Sequence, residues 1–268
     1  MARKLLPPTG LTLPGLRGLL GVQGRGGCLV DLVGGVSVEY ALTSIIGQQL
    51  FLQGCFEDQE SDFLCQRLGQ WREPVFLDIG ANIGLHSLRA ARARPDARVL
   101  AFEPAHETLA LLGRNIARNG LAGRIEVWPV AVGQCTGRAH FHYCLDDAYS
   151  SLVPDGRRPV KDTYEVEVVC LDDWLPAAGI GHVHLLKLDV EGGEAEAIAG
   201  ARRTLSAMRP ELVVEIFQGD RRPGFADDLI RQIRSFGYEA FVLRDGKPVP
   251  FGRHSDEQFN YFFKPCHA

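Results

Sequence analysis

The sequence predicts a doubly wound α/β fold: a mostly parallel, seven-stranded sheet with helices on both faces. Three observations carry that prediction. A strand, turn, helix, strand rhythm begins at Val75, a glycine-containing turn follows the first strand directly, and acidic residues stand where strands end. Strands alternating with helices make parallel sheets, and open sheets of this kind bind ligands at the carboxyl ends of their strands.

Taken in order, residues 1–26 are rich in Gly, Pro and Leu without clean periodicity and predict a loosely ordered lead-in. Residues 27–73 predict a cap. Cys28–Val33 and Val36–Leu42 are β-prone runs around Gly34 and Gly35, a hairpin pattern, and Asp58–Leu68 has helical amphipathicity. The main domain then covers residues 74–268. Strands over Val75–Ile79, Arg98–Phe102 and Ile125–Val130 alternate with helices over Leu85–Arg94 and His106–Asn119. Between Val132 and Leu171 β-type alternation replaces the helical period, in Arg138–Tyr143 and Tyr164–Val169, so residues 132–171 read as an insertion. The rhythm resumes with strand His184–Leu188, helix Glu194–Ala207, strand Leu212–Phe217 and helix Phe225–Phe236. Strands Glu239–Leu243 and Asn260–Phe263 close the domain.

Composition narrows the class. Of 268 residues, 46% are hydrophobic and 23% charged, close to the averages of soluble globular proteins. The net charge of −4 opposes a phosphate-tracking surface, so no nucleic-acid partner is expected. No apolar run is long enough to cross a bilayer, and Pro7, Pro8 and Pro14 interrupt the start, so the expected location is cytoplasmic. Seven cysteines form no CxxC pair and no metal-ligand spacing, which predicts reduced thiols.

The turn Asp78-Ile79-Gly80-Ala81-Asn82-Ile83-Gly84 has the spacing G-x-x-x-G rather than the G-x-G-x-x-G of dinucleotide sites, which disfavours a pyrophosphate ligand. Glu103 ends the second strand, where a carboxylate can accept both hydroxyls of a ribose. Asp78 ends the first, where it can bind an amino group directly or through water. Together they suit S-adenosyl-L-methionine (SAM), whose sulfonium charge favours acidic surroundings. Read singly, Asp78 is a turn carboxylate and Glu103 a strand-ending surface charge.

Lys187, Asp189 and Glu191 lie in and just beyond His184–Leu188, a strand expected to be buried on both sides. Alternation puts Lys187 and Asp189 on one face, with Glu215 on the next strand. This is either an active-site edge or a structural ion pair of Lys187 with Asp189 or Glu215.

The chain resembles the FkbM family of SAM-dependent methyltransferases through Leu77-Asp78-Ile79-Gly80-Ala81-Asn82-Ile83-Gly84, Phe102-Glu103-Pro104, Ala131-Val132-Gly133, Ser150-Ser151-Leu152 and Lys187-Leu188-Asp189-Val190-Glu191-Gly192-Gly193-Glu194. The resemblance implies a Rossmann-like class I methyltransferase fold and methyl transfer to a hydroxyl on a sugar, polyketide or other small metabolite. It implies cofactor contacts from Asp78, Gly80, Asn82, Gly84, Glu103, Pro104, Ala131, Ser151 and Asp189. After the fifth strand the family often has histidine; Phe217 stands here.

No Asn/Asp-Pro-Pro-Tyr tetrad follows the fourth strand, which favours oxygen as the acceptor atom. Removing the hydroxyl proton then needs a base, for which Asp189, Glu191 and His86 are the candidates, with Lys187 orienting the carboxylates. A divalent ion on Asp189, Glu191 and Glu215 ranks below direct base catalysis, since no His/Cys set or ligand series accompanies them. A nicotinamide-dependent oxidoreductase on the same fold, a methyltransferase acting on a macromolecule and a degenerate binding module are the competing readings.

Overall fold

The computed structural model describes residues 28–153, 156–218, 223–251, 254 and 258–266, so the predicted lead-in lies outside the described residues. Strands β1 (Cys28–Leu32) and β2 (Val36–Tyr40) form the expected antiparallel hairpin. Helix α1 (Ile45–Gln53), which the sequence reading did not find, follows with Ser44 Oγ accepting from the Ile46 N–H, and α2 (Asp58–Leu68) completes the cap. Leu50, Leu64 and Leu68 are buried there.

The chain then lays down β3 (Val75–Ile79), α3 (Leu85–Ala93), β4 (Arg98–Phe102), α4 (His106–Arg118) and β5 (Ile125–Trp128). Pro129 cannot donate to a ladder, and the predicted third strand ends before it. Ala131–Val132 become β6, which joins β7 (Gly137–Cys144) and β8 (Val160–Val169) in a separate three-stranded sheet, order β6-β8-β7. All but the first residue of this sheet falls within residues 132–171.

Helix α5 (Leu171–Ala177), strand β9 (Leu185–Leu188), helices α6 (Glu194–Ala199) and α7 (Arg202–Ala207), strand β10 (Glu211–Glu215) and helix α8 (Phe225–Ser235) follow. The sequence predicted one helix over Glu194–Ala207. It breaks at Gly200, where a Cβ would stand 2.1 Å from the Gly133 carbonyl oxygen, so the chain presses against the insertion too closely for a continuous helix of side-chain-bearing residues. Strands β11 (Tyr238–Arg244), β12 (Lys247–Pro250) and β13 (Asn260–Pro265) finish the sheet.

Eight described strands form the main sheet in the order β12-β11-β13-β10-β9-β3-β4-β5. The seven predicted strands are all present. The eighth, β12, is an exposed edge strand with prolines at both Pro248 and Pro250, positions that hid it from a strand pattern. Pairing is parallel from β10 through β9, β3 and β4 to β5, and β13 runs antiparallel between β10 and β11. This is the doubly wound, mostly parallel arrangement that the sequence predicts.

Alternation along each strand sorts side chains between two cores. Phe76, Val99, Leu185, Val213 and Phe262 pack under the cap with Leu64, Leu88 and Leu112. Leu77, Leu100, Leu186, Leu212 and Val214 pack on the other face against Leu175, Ile198, Leu205 and Ile233. Burying both faces is what allows these strands to be nearly continuous apolar runs.

Candidate active site

The parallel strands end at a cavity of about 750 Å³, counting its open mouth. Gly80, Asn82, Glu103, Pro104, Ala131, Asp189 and Glu191 of the predicted set line it, together with Asp147, Ser150 and Leu152 of the insertion and Ile46 and Phe56 of the cap. Its polar side chains are four carboxylates, one amide and one hydroxyl. No lysine, arginine or histidine lines it among the described residues.

The glycine turn is fixed from both sides. Gly80 and Ala81 N–H groups both donate to the Phe102 carbonyl at 3.0 Å, and Asp189 N–H donates to Ile79 at 3.0 Å. Gly80 has φ +78, and a Cβ on it would stand 1.8 Å from the Asp189 carbonyl oxygen, so only glycine lets the turn touch the loop after β9.

Glu103 is buried with both oxygens held: Oε2 accepts from Asn82 N–H and Oε1 from Ala105 N–H, each at 2.9 Å. Burial pushes its carboxyl up to about 7 despite those two bonds, and the charges of Asp147 and Asp78 add to the rise.

Under the cap, three adjacent strand ends put charge on one face: Asp78 on β3, Lys187 in register beside it on β9, and Glu215 on β10. Burial alone would lower the Lys187 pKa. Asp189, Asp78, Glu57 and Glu215 outweigh it and hold the ammonium well above the ordinary lysine value, so it is a fixed cation. Its Nζ lies 3.3 Å from Asp189 Oδ2.

Several predicted residues are placed elsewhere. Asp78 does not line the cavity; Ser87 Oγ donates to its Oδ2 at 2.6 Å beside the Lys187 cluster. Gly84 caps α3 and packs on Leu112. Ser151 turns into its own loop, bonding Val153, while Ser150 faces the cavity. His86 is held between Ser61 Oγ (2.9 Å from Nδ1) and Glu57 Oε2 (3.1 Å from Nε2), under the cap and away from the cavity lining. Lys187 reaches the site through Asp189.

Asp189, Glu191 and Glu215 bring carboxylate oxygens within 4.8 Å of one another. Two cations already meet this group, Lys187 at Asp189 and Arg157 at Glu191 (2.6 Å), and both would oppose a divalent ion.

Residues 78–240, more than half of the chain, match the family description "Methyltransferase FkbM domain". The chain belongs to the FkbM methyltransferase family. Among the relatives it resembles, "2-O-methyltransferase NoeI" of Sinorhizobium fredii is 32% identical over 151 residues, which cover 51% of this chain and 61% of NoeI. "31-O-demethyl-FK506 methyltransferase FkbM" of Streptomyces tacrolimicus is 27% identical over 201 residues, 64% of this chain and 75% of that protein. The crystal structure of "Methyltransferase FkbM" from Methylobacillus flagellatus aligns with a TM-score of 0.48 at 21% identity, over 72% of this chain and 44% of that one. This chain thus spans less than two thirds of NoeI.

Sequence reasoning missed Asp147, Arg157 and Glu57. Within this FkbM-family chain, the signal for Asp147 was an acidic pair, Asp146-Asp147, placed just before Ser150-Ser151. Arg157 carried none, since it meets Glu191 across 34 positions of sequence. Glu57 stands at the mouth of α2 with φ 49, and neither period nor spacing marks it.

Proposed function

We propose that this chain is a SAM-dependent O-methyltransferase whose acceptor is a hydroxyl of a small metabolite or glycan. The observation that carries the proposal is the cavity wall: three carboxylates at the strand ends, a fourth, Asp147, from the insertion and, among the described residues lining it, no basic side chain. Such a wall attracts a ligand that brings positive charge and hydroxyl or amino donors, and repels a pyrophosphate. SAM fits it, with Glu103 facing the ribose and Gly80, Asn82, Pro104 and Ala131 beside the rest. The names of NoeI and FkbM, both O-directed, support oxygen as the acceptor atom.

Bound SAM supplies a methyl group on a sulfonium, open to in-line displacement by an acceptor oxygen. The protein's task is to align that oxygen, exclude water and take its proton. Three observations support Asp189 for the last step: it lines the cavity, its backbone is fixed to Ile79, and Lys187 stabilises its charge. Glu191 lines the cavity too, but Arg157 engages its Oε2. We therefore assign the base to Asp189 and an orienting role to Glu191.

Calorimetric titration with S-adenosylhomocysteine (SAH) and with NADH tests the cofactor; SAH binding with no NADH binding is expected, and the reverse would overturn the proposal. Screening SAH release against sugars, glycosylated metabolites and amines, with mass spectrometry of the product, then tests the acceptor. Transfer confined to amines would overturn O-methylation.

A further inference from the structure

Asp147 opens the short 3₁₀ turn Asp147–Tyr149 inside the insertion and lines the same cavity as Glu103. Its neighbours pin it there. Asp146 Oδ1 accepts from the Ile45 N–H at 3.1 Å, tying the turn to the start of α1, and Ser150 Oγ accepts from the Cys144 N–H at 2.9 Å on the other side. Ser44 bonds the Asp147 side chain. Yet Asp147 Oδ1 is buried and has no hydrogen-bond partner among the described residues. A buried acceptor left without a donor is costly, and a rigid turn that holds one in a cavity wall is explained when a ligand supplies the donor.

The accounting of donors indicates which ligand group that is. Each Glu103 oxygen already takes one backbone N–H and keeps one lone pair for the cavity. Asp147 and Glu103 line the same cavity, and the charge of Asp147 adds to the rise of the Glu103 carboxyl. A vicinal diol between them offers two O–H donors to two carboxylates that each have a vacant acceptor. We propose that Asp147 is a second cofactor-binding carboxylate, sharing with Glu103 the hydroxyls of the SAM ribose. This rests on the SAM reading above and adds to it a contact made by the insertion, whose turn already stands in the cavity wall beside the strand ends.

The test is calorimetric titration of wild type, Asp147→Ala and Asp147→Asn with SAH and with its 2′-deoxy and 3′-deoxy analogues. Loss of one hydrogen bond to a charged acceptor should weaken SAH about 10- to 100-fold in Asp147→Ala. Toward the analogue that lacks the contacted hydroxyl, wild type and variant should bind alike. An equal loss on SAH and on both analogues would place the carboxylate on another part of the cofactor and overturn the proposal, as would an unchanged SAH affinity. Wild type that binds no SAH overturns the cofactor reading and this inference together, which separates that failure from the others. Should Asp147→Ala not fold, Asp147→Asn, which keeps the shape and the bond to Ser44, carries the same comparison with a smaller expected loss of about 3- to 10-fold.

Discussion

The Arg157 guanidinium donates to Glu191 Oε2 at 2.6 Å while lying over the ring of Tyr149 at 4.7 Å and that of Phe217 at 4.5 Å. One side chain of the insertion thus clamps the loop after β9 and the second residue after β10. It holds Glu191, whose φ of +53 is uncommon for a residue with a side chain. Arg157→Ala should lower kcat/KM for the acceptor about 10- to 100-fold, the worth of a charge-assisted bond plus ring contacts, and leave SAH affinity within about threefold. Steady-state kinetics beside SAH titration checks this. Arg157→Lys, which keeps the charge but not the planar stack, should recover only part of the loss.

Glu103 sets a pH dependence. Its folded carboxyl, raised from 4.5 to about 7, holds a proton more tightly than in the unfolded chain. Stability of the ligand-free protein is therefore full below pH 4.5 and declines as the pH rises through about 7, by about 3 kcal/mol in all. Glu103→Gln should remove that decline, seen as a urea midpoint nearly flat with pH. A diol donates best to the ionised form, so SAH binding near pH 6, where the free carboxyl is almost wholly protonated, should release close to one proton, measurable by calorimetry in buffers of different ionisation heat.

Asp189→Asn should lose about 10²- to 10⁴-fold in kcat with little change in SAH affinity, the expected cost of removing a general base. Glu191→Gln should lose less. If the order is reversed in single-turnover kinetics, Glu191 is the base.

His86→Ala should act on stability. It deletes bonds to Ser61 and Glu57, a loss of about 1 to 3 kcal/mol in chemical denaturation, while kcat falls less than about tenfold. A fall beyond about 100-fold in a variant of normal stability would return His86 to the chemistry.

These residues also mark how far the sequence could be read. β3, β4, β9 and β10 were legible because strands buried on both faces must be apolar, and Glu103 because it interrupts such a run at its end. Asp78 was recognised as a strand-end acid, but alternation from Phe76 sends it under the cap, and only the in-register pairing with Lys187, invisible in one strand alone, shows what it meets there. His86 looked cavity-facing because it follows Gly84 closely, but its ring bonds Ser61 of α2 and Glu57 at the start of that helix. Asp147 and Arg157 sit in connections without a period, where position is decided by tertiary contacts rather than local pattern.

The placement of β13 imposes an order on biosynthesis. Residues 260–265 insert between β10 and β11, carrying the fully buried Tyr261, Phe262 and Phe263 into both cores. Until the ribosome has delivered them, β11 has no neighbour but the β12 hairpin, and the open flank of β10 offers unpaired backbone to any passing strand. Closure of the sheet therefore waits for a strand that follows both of its neighbours in the chain, and the nascent chain spends the interval with an adhesive edge, when a holding chaperone would matter most to yield.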